Sequence, residues 1–183
     1  DLTISRNKTK ITKIGYTTAR DAVKIGQQQL EEAEKFTYLS STLANDGNAD
    51  HDVACRIGKA GAVFQWLRPI WADVQISVVM KIWLFNTIVI VTATYAFETW
   101  KTSAQIARSL NVAQQQWLHR ILQVSYKDRI TNEEIHQRTG TRPLNDIVTE
   151  RWLCFADHIL RQPISRHPRN TISWTPQGRR KQG

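Results

Sequence analysis

Residues 82–97, IWLFNTIVIVTATYAF, carry no charge, and their reading decides the fold class. Lys81 and Glu98 bracket sixteen uncharged residues, short of the about 20 that a membrane-spanning helix needs. Asn86, Thr87, Thr92, Thr94 and the nearby Thr99 dilute the run further. It reads as the buried heart of a helical domain, a central bundle helix over residues 76–100 covered on several sides. A membrane-associated helical protein anchored by residues 82–97 is one alternative, and a non-catalytic helical scaffold is another.

The other end of the chain contrasts with this run. From Arg161 onward, the last twenty-three residues hold six Arg or Lys and no carboxylate. The chain of 183 residues has a formal charge of +9 and 41% hydrophobic content. That content supplies one substantial core. The charge disfavours neutral or acidic small-molecule partners and favours phosphate polymers or anionic surfaces. Two cysteines, Cys55 and Cys154, are too few for a disulfide framework and point to a reducing compartment. With no leader pattern at the start, an intracellular location, nuclear or cytoplasmic, is expected.

The fold class expected is mainly α, with a small N-terminal β-hairpin or antiparallel sheet, a helical bundle and a basic, poorly ordered tail. The divisions fall at residues 1–47, 48–125, 126–163 and 164–183. In the first, Ile11 and Ile14, then Val23 and Ile25, then Phe36, Tyr38 and Leu43 suggest strands, with turns at Gly15 and Gly26. Glu31, Glu32 and Glu34 leave the stretch between open to strand or helix. Asn48 or Asp50 caps the first helix, whose stripe is Val53, Ile57, Ala60, Phe64 and Leu67, with Arg56, Lys59 and Arg68 off it. Pro69 ends that helix.

Thr102 or Ser103 starts a helix with Leu110, Ala113, Trp117, Ile121 and Val124 inward and Gln114, Gln115 and Gln116 facing mostly outward. Thr131 and Glu134 form a capping box, and Gly140 ends the short helix it opens. Leu144, Val148, Trp152, Phe155 and Ile159 make a last stripe closed by Pro163. Trp100, Trp117 and Trp152 read as core; Trp66, Trp71 and Trp83 stay open; Trp174 in the tail is a candidate base-stacking ring.

No nucleophile–base constellation, Gly-rich phosphate loop or HExxH motif is present. Cys154 and His158 lie one helical turn apart, but two ligands do not close a zinc site. Asp50 and Asp52 fall at a helix start, where carboxylates favour the dipole, so they do not read as a two-metal centre. No metal site is expected in this chain.

Several segments, taken in order, resemble the C-terminal part of non-LTR (LINE-like) retrotransposon reverse transcriptases. Residues 36–39 (FTYL) look like F-x-Y-L-G, and residues 7–10 (NKTK) are similar to the end of N-x-x-K-T-K. Arg56, Ile57, Ala60 and Phe64 resemble R-I-x-x-A-x-x-A-F. Residues 81–86 (KIWLFN) look like K-x-x-L-F-N, and residues 95–100 (YAFETW) like Y-G-x-E-T-W. Residues 120–122 and 128–135 (RIL, DRITNEEI), then 152–162 and 174–180, are similar to further elements of that pattern. Glycines of the pattern are replaced by Ser40, Ala96 and Asp157.

The resemblance covers nearly the whole chain and implies the end of a palm and a primer-grip segment (1–47), a thumb-like bundle (48–125) and a connector (126–163). The parent enzyme it implies is an RNA-directed DNA polymerase of a transposable element, using Mg2+. Its catalytic aspartates, which hold the two metal ions, lie in the pattern before residue 1. This fragment alone is therefore expected to be inactive and to bind no cofactor. The implied partners are template RNA, primer DNA and the upstream palm and fingers, with no membrane.

By carry-over, Phe36, Tyr38 and Leu39 shape the primer-grip hairpin, and Ser40 or Ser41 faces primer phosphates; Phe36 and Leu39 also serve to pin the hairpin onto the helices. Arg56 and Lys59, neighbours on the first helix, are candidates for adjacent template-primer phosphates or a solvated face. A second basic set comprises Lys127, Arg129, Arg161, Arg166, Arg169, Arg179, Arg180 and Lys181. It holds template RNA or target DNA, or solubilises a tail.

Overall fold

The computed structural model describes residues 9–12, 23–25, 28–38, 41–44, 49–97 and 103–173. The architecture is a small N-terminal β region followed by a helical bundle, as the hydropathy pattern implies.

The strands pair two by two. β2 (Lys24–Ile25) and β3 (Gln28–Gln29) are antiparallel, as are β5 (Lys35–Tyr38) and β6 (Ser41–Ala44). β1 (Lys10–Ile11) runs parallel to β4 (Glu31–Glu32), a pairing beyond the hairpin or antiparallel sheet expected. The Glu-rich stretch is strand because Lys10 stands opposite Glu31, and their side chains meet at 3.0 Å; opposite charges on facing positions favour that register. The turns expected at Gly15 and Gly26 lie outside the described residues.

α1 (Asp50–Trp66) begins after Ala49, whose side chain cannot cap. Asp50 is thus inside the helix, and Asn48 lies outside the described residues. Val53, Ala60, Phe64 and Leu67 are buried as expected, but so is Arg56, 4% exposed. Pro69 begins a helix as well as following one: α2 (Arg68–Ala72) has it in the first turn, where its missing N–H has no partner to lose.

Ser77 caps α3 (Val78–Leu84), its Oγ accepting the Met80 N–H at 3.3 Å. α3 runs into a π-helical turn over Phe85–Ile90 and then α4 (Val91–Ala93). The helix expected over residues 76–100 is therefore shorter, and a left-handed residue, Ala96 at φ 57°, follows its end. The π turn aligns Phe85, Val89, Ile90 and Ala93 toward the core. Thr87, Thr92 and Thr94 donate their hydroxyls to carbonyls four residues back at 2.8 to 2.9 Å. An apolar helix thereby absorbs these polar groups internally, a pattern that bends helices. The run is buried on one broad side and not all round, since Trp83, Val91 and Tyr95 are exposed. Among the described residues, no helix is long and apolar enough to cross a membrane.

α5 (Ala104–Leu122) is the spine of the bundle, capped by Ser103 Oγ at 3.2 Å from the Ile106 nitrogen. Phe64 of α1 sits among Trp71, Phe85 and Trp117, with ring centroids 5.2, 6.4 and 6.1 Å away. Lys81 is buried beside this cluster and donates to the Trp71 carbonyl at 2.9 Å. α6 (Asn132–Thr139) has Thr131 as its N-cap, and Gly140, at φ 61°, closes it. The Thr141 N–H bonds the His136 carbonyl and the Gly140 N–H that of Gln137, so only the left-handed residue can occupy the position cheaply.

α7 (Leu144–Leu160) lays Leu144 and Val148 into the same continuous core as Val53 and Leu110, so the connector helices share the bundle's interior. Two residues of the expected stripe do not follow: Trp152 and Phe155 are 38% and 43% exposed. Beyond Pro163 the chain is not wholly extended. α8 (His167–Ser173) forms there, with the Asn170 N–H bonding the Arg166 carbonyl at 3.1 Å.

Candidate nucleic-acid interface

Several described arginines are paired with carboxylates. Arg138, Arg142 and Arg161 pair with Glu134, Glu150 and Asp157 on the surface, and Arg56 pairs with Asp52 in the interior. Arg68, Arg108 and Arg120 are exposed and, among the described residues, have no carboxylate partner. These three border two cavities that share Arg120. One, about 460 Å³, lies where α1, α2 and the end of α5 meet and is lined by Gln65, Arg68 and Gln123. The other, about 830 Å³, lies between α5 and α6 and is lined by Arg108, Gln116, His119 and His136. Together they give α5 an outer face with unneutralised positive charge at both ends.

A further exposed face lies on α1. Lys59, Ala62 and Trp66 are exposed at spacings of three and four, so they share one side of the helix. A Cβ added at Gly58 or Gly61 would meet nothing within 4 Å. Internal packing therefore does not demand these glycines, which leave part of the α1 surface without side chains. A sugar-phosphate backbone can come close to such a surface.

The sequence-derived candidates distribute unevenly. Phe36 is half-buried opposite Leu43 in the β5–β6 hairpin, and the backbones of Tyr38 and Ser41 pair with each other. The side chains of Tyr38 and Ser41, and Leu39 and Ser40 altogether, lie outside the described residues. The hairpin docks on α1 through the Thr42 N–H, which donates to Asp52 Oδ1 at 2.8 Å. Asp52 Oδ2 faces Arg56 Nε at 3.8 Å, and the Arg56 guanidinium carbon lies 4.7 Å from the centroid of the Tyr95 ring. Arg56 thus ties the hairpin, α1 and the turn after α4 together, and its burial corrects its placement on a phosphate-facing surface. Lys59 remains available to solvent.

Lys127 and Arg129 are exposed together in the turn between α5 and α6. That turn is closed by Asp128, whose Oδ2 accepts the Ser125 N–H at 2.6 Å. Arg161 is exposed but paired with Asp157. Arg166 and Arg169 sit around α8, and Arg179, Arg180 and Lys181 lie outside the described residues with Trp174.

Arg68, Arg108 and Arg120 were not singled out by sequence reasoning. A signal existed for Arg108, which falls on the side of α5 opposite the inward stripe, whereas Arg120 lies at the flank of that stripe, seven residues from buried Ala113. Arg68 was read only as lying off the apolar stripe of the first helix, because its place at a cavity depends on the junction at Leu67. Gln114 corrects the outward reading of the glutamine triplet. It is 1% exposed and braces α7, whereas Gln116 faces the cavity. Among the described residues, no group of three His, Cys, Asp or Glu side chains could hold a metal ion.

No protein-family model matches the chain, no curated protein matches it, and no solved structure matches it.

Proposed function

We propose that this chain is the nucleic-acid-gripping, non-catalytic part of an RNA-directed DNA polymerase, similar to the thumb and connector of non-LTR retrotransposon enzymes. Its role is to hold a template RNA and primer DNA while the palm and fingers of the same polypeptide carry out Mg2+-assisted nucleotide addition. The observation that carries this reading is the set of exposed arginines without a carboxylate partner among the described residues, Arg68, Arg120 and Arg108, on two cavities that share Arg120. A polyanion is the kind of partner that would compensate arginines gathered at shared cavities.

Two further observations support it. The glycine that the resembling pattern carries after its tyrosine is Ala96 here, and Ala96 adopts φ 57°, a conformation natural to glycine. The segment that resembles a primer grip forms a tight antiparallel hairpin seated on α1. Contacts to phosphates position a duplex without reading its sequence, which suits an enzyme that copies any template.

The test is equilibrium binding of blunt RNA–DNA duplexes of several sequences, over a range of salt. Sequence-tolerant affinity that falls steeply with salt is expected, and Arg68→Ala should lower the log–log slope by about 0.9. Binding that is flat in salt, or unchanged in slope by that substitution, would sink the proposal.

A further inference from the structure

The cavity between α5 and α6 differs in kind from the exposed face of α1. It is an open groove of about 830 Å³, within the range of sites that take small ligands. Arg108 and Arg120 are twelve residues apart on α5, so they stand roughly 18 Å from one another along the axis. The α6 wall offers a different chemistry: Asn132, Glu133 and His136. His136 is held at both ring nitrogens, Nε2 at 2.8 Å from Gln115 Nε2 and Nδ1 at 3.0 Å from Thr141 Oγ1. What remains of this ring for a ligand is its carbon surface, suited to stacking. Glu133 repels phosphates but accepts from exocyclic amino groups of bases. One wall therefore suits a phosphate chain and the other suits base edges.

We infer that this groove takes a single strand continuing from the gripped duplex, with its phosphates along Arg108 and Arg120 and its bases toward α6. The inference rests on the reading of the chain as a nucleic-acid grip. Arg120 borders both cavities and so joins the duplex-bearing side to the single-strand side. Gln116, exposed between the two arginines, adds an amide on the same wall.

The experiment compares blunt RNA–DNA duplex, the same duplex with a six-nucleotide overhang on either strand, and the free single strand. It uses the full chain and its Arg108→Ala/Gln116→Ala variant. Both substituted residues are exposed, and an unchanged melting curve verifies that the fold is intact. An overhang should tighten binding about tenfold over the blunt duplex, and that gain, measured for each protein against its own blunt-duplex affinity, should disappear in the variant. The salt slope of the overhang complex should exceed that of the blunt one by about 0.7 for each added phosphate contact. Glu133→Gln should reduce any preference for oligo(C) over oligo(U). An overhang that adds nothing, or a gain that survives in the variant, overturns the inference. So does a free mononucleotide that competes as well as the strand. Failure of the blunt duplex alone to bind overturns the preceding proposal instead, and the free single strand then decides this one.

Discussion

The side-chain amide of Gln114 supplies the cap that Leu144 lacks: its Oε1 accepts the Leu144 N–H at 2.7 Å. Its Nε2 donates to the Arg142 carbonyl at 2.9 Å, and Asn111 Oδ1, one turn earlier on α5, accepts the Asn145 N–H at 3.0 Å. The residue before α7 is Pro143, which has no side-chain cap to give. α5 therefore satisfies in trans the orphan amides that every helix start exposes.

Replacing Gln114 with Ala should destabilise the fold by about 2–4 kcal/mol, because it strands a buried N–H and a carbonyl together. Gln116→Ala, on the exposed side of the same helix, should stay within about 0.5 kcal/mol. Urea denaturation at constant m-value reads both, and equal effects would show that the clamp carries no stability.

Ala96 occupies a left-handed conformation that costs an L-residue about 1–2 kcal/mol. Glycine removes that strain but gains freedom in the unfolded chain worth about 0.4–1 kcal/mol. Ala96→Gly should therefore raise the melting temperature modestly. Ala93→Gly, within α4 and fully buried, should lower it. A drop for Ala96→Gly would contradict the assigned backbone.

Arg56 and Lys59 should separate cleanly. Arg56→Met leaves the Asp52 carboxylate, 3% exposed, without its cation and should cost about 3 kcal/mol. Adding Asp52→Asn should recover part of that loss, since the new amide oxygen still accepts from Thr42. Lys59→Ala should leave stability nearly unchanged and reduce the salt slope of duplex binding by about 0.9. A double-mutant cycle and a salt titration check the pair, and a destabilising Lys59→Ala would count against its surface role.

Gly58 gives an opposed pair of readouts. Alanine there gains about 1 kcal/mol of helix propensity, and its Cβ meets nothing within 4 Å. Stability should rise while duplex affinity falls, because the added methyl holds the backbone away from Lys59. Unchanged affinity in a stabilised variant would mean that no strand approaches this face.

Much of the helical layout was legible from local chemistry. Ser103, Thr131 and Gly140 mark helix ends through hydrogen bonds made within a few residues, and the stripe from Leu110 to Ile121 follows the helical period. Phe36 and Leu43 likewise announce a hairpin whose partner lies nearby in the chain. The candidate site was harder to read, because one-dimensional periodicity separates inside from outside but not paired charge from unpaired.

What sequence alone determined was the mainly helical class, an apolar run that belongs to a core, and a cationic surplus. Only the tertiary structure decided which cations are available: it buried Arg56 against Asp52, turned Gln114 inward to brace α7, and left Arg68, Arg108 and Arg120 open around shared cavities. The reason is physical. A side chain's charge is written in the sequence, but its neutralisation depends on groups brought within a few ångströms by helices distant in the chain.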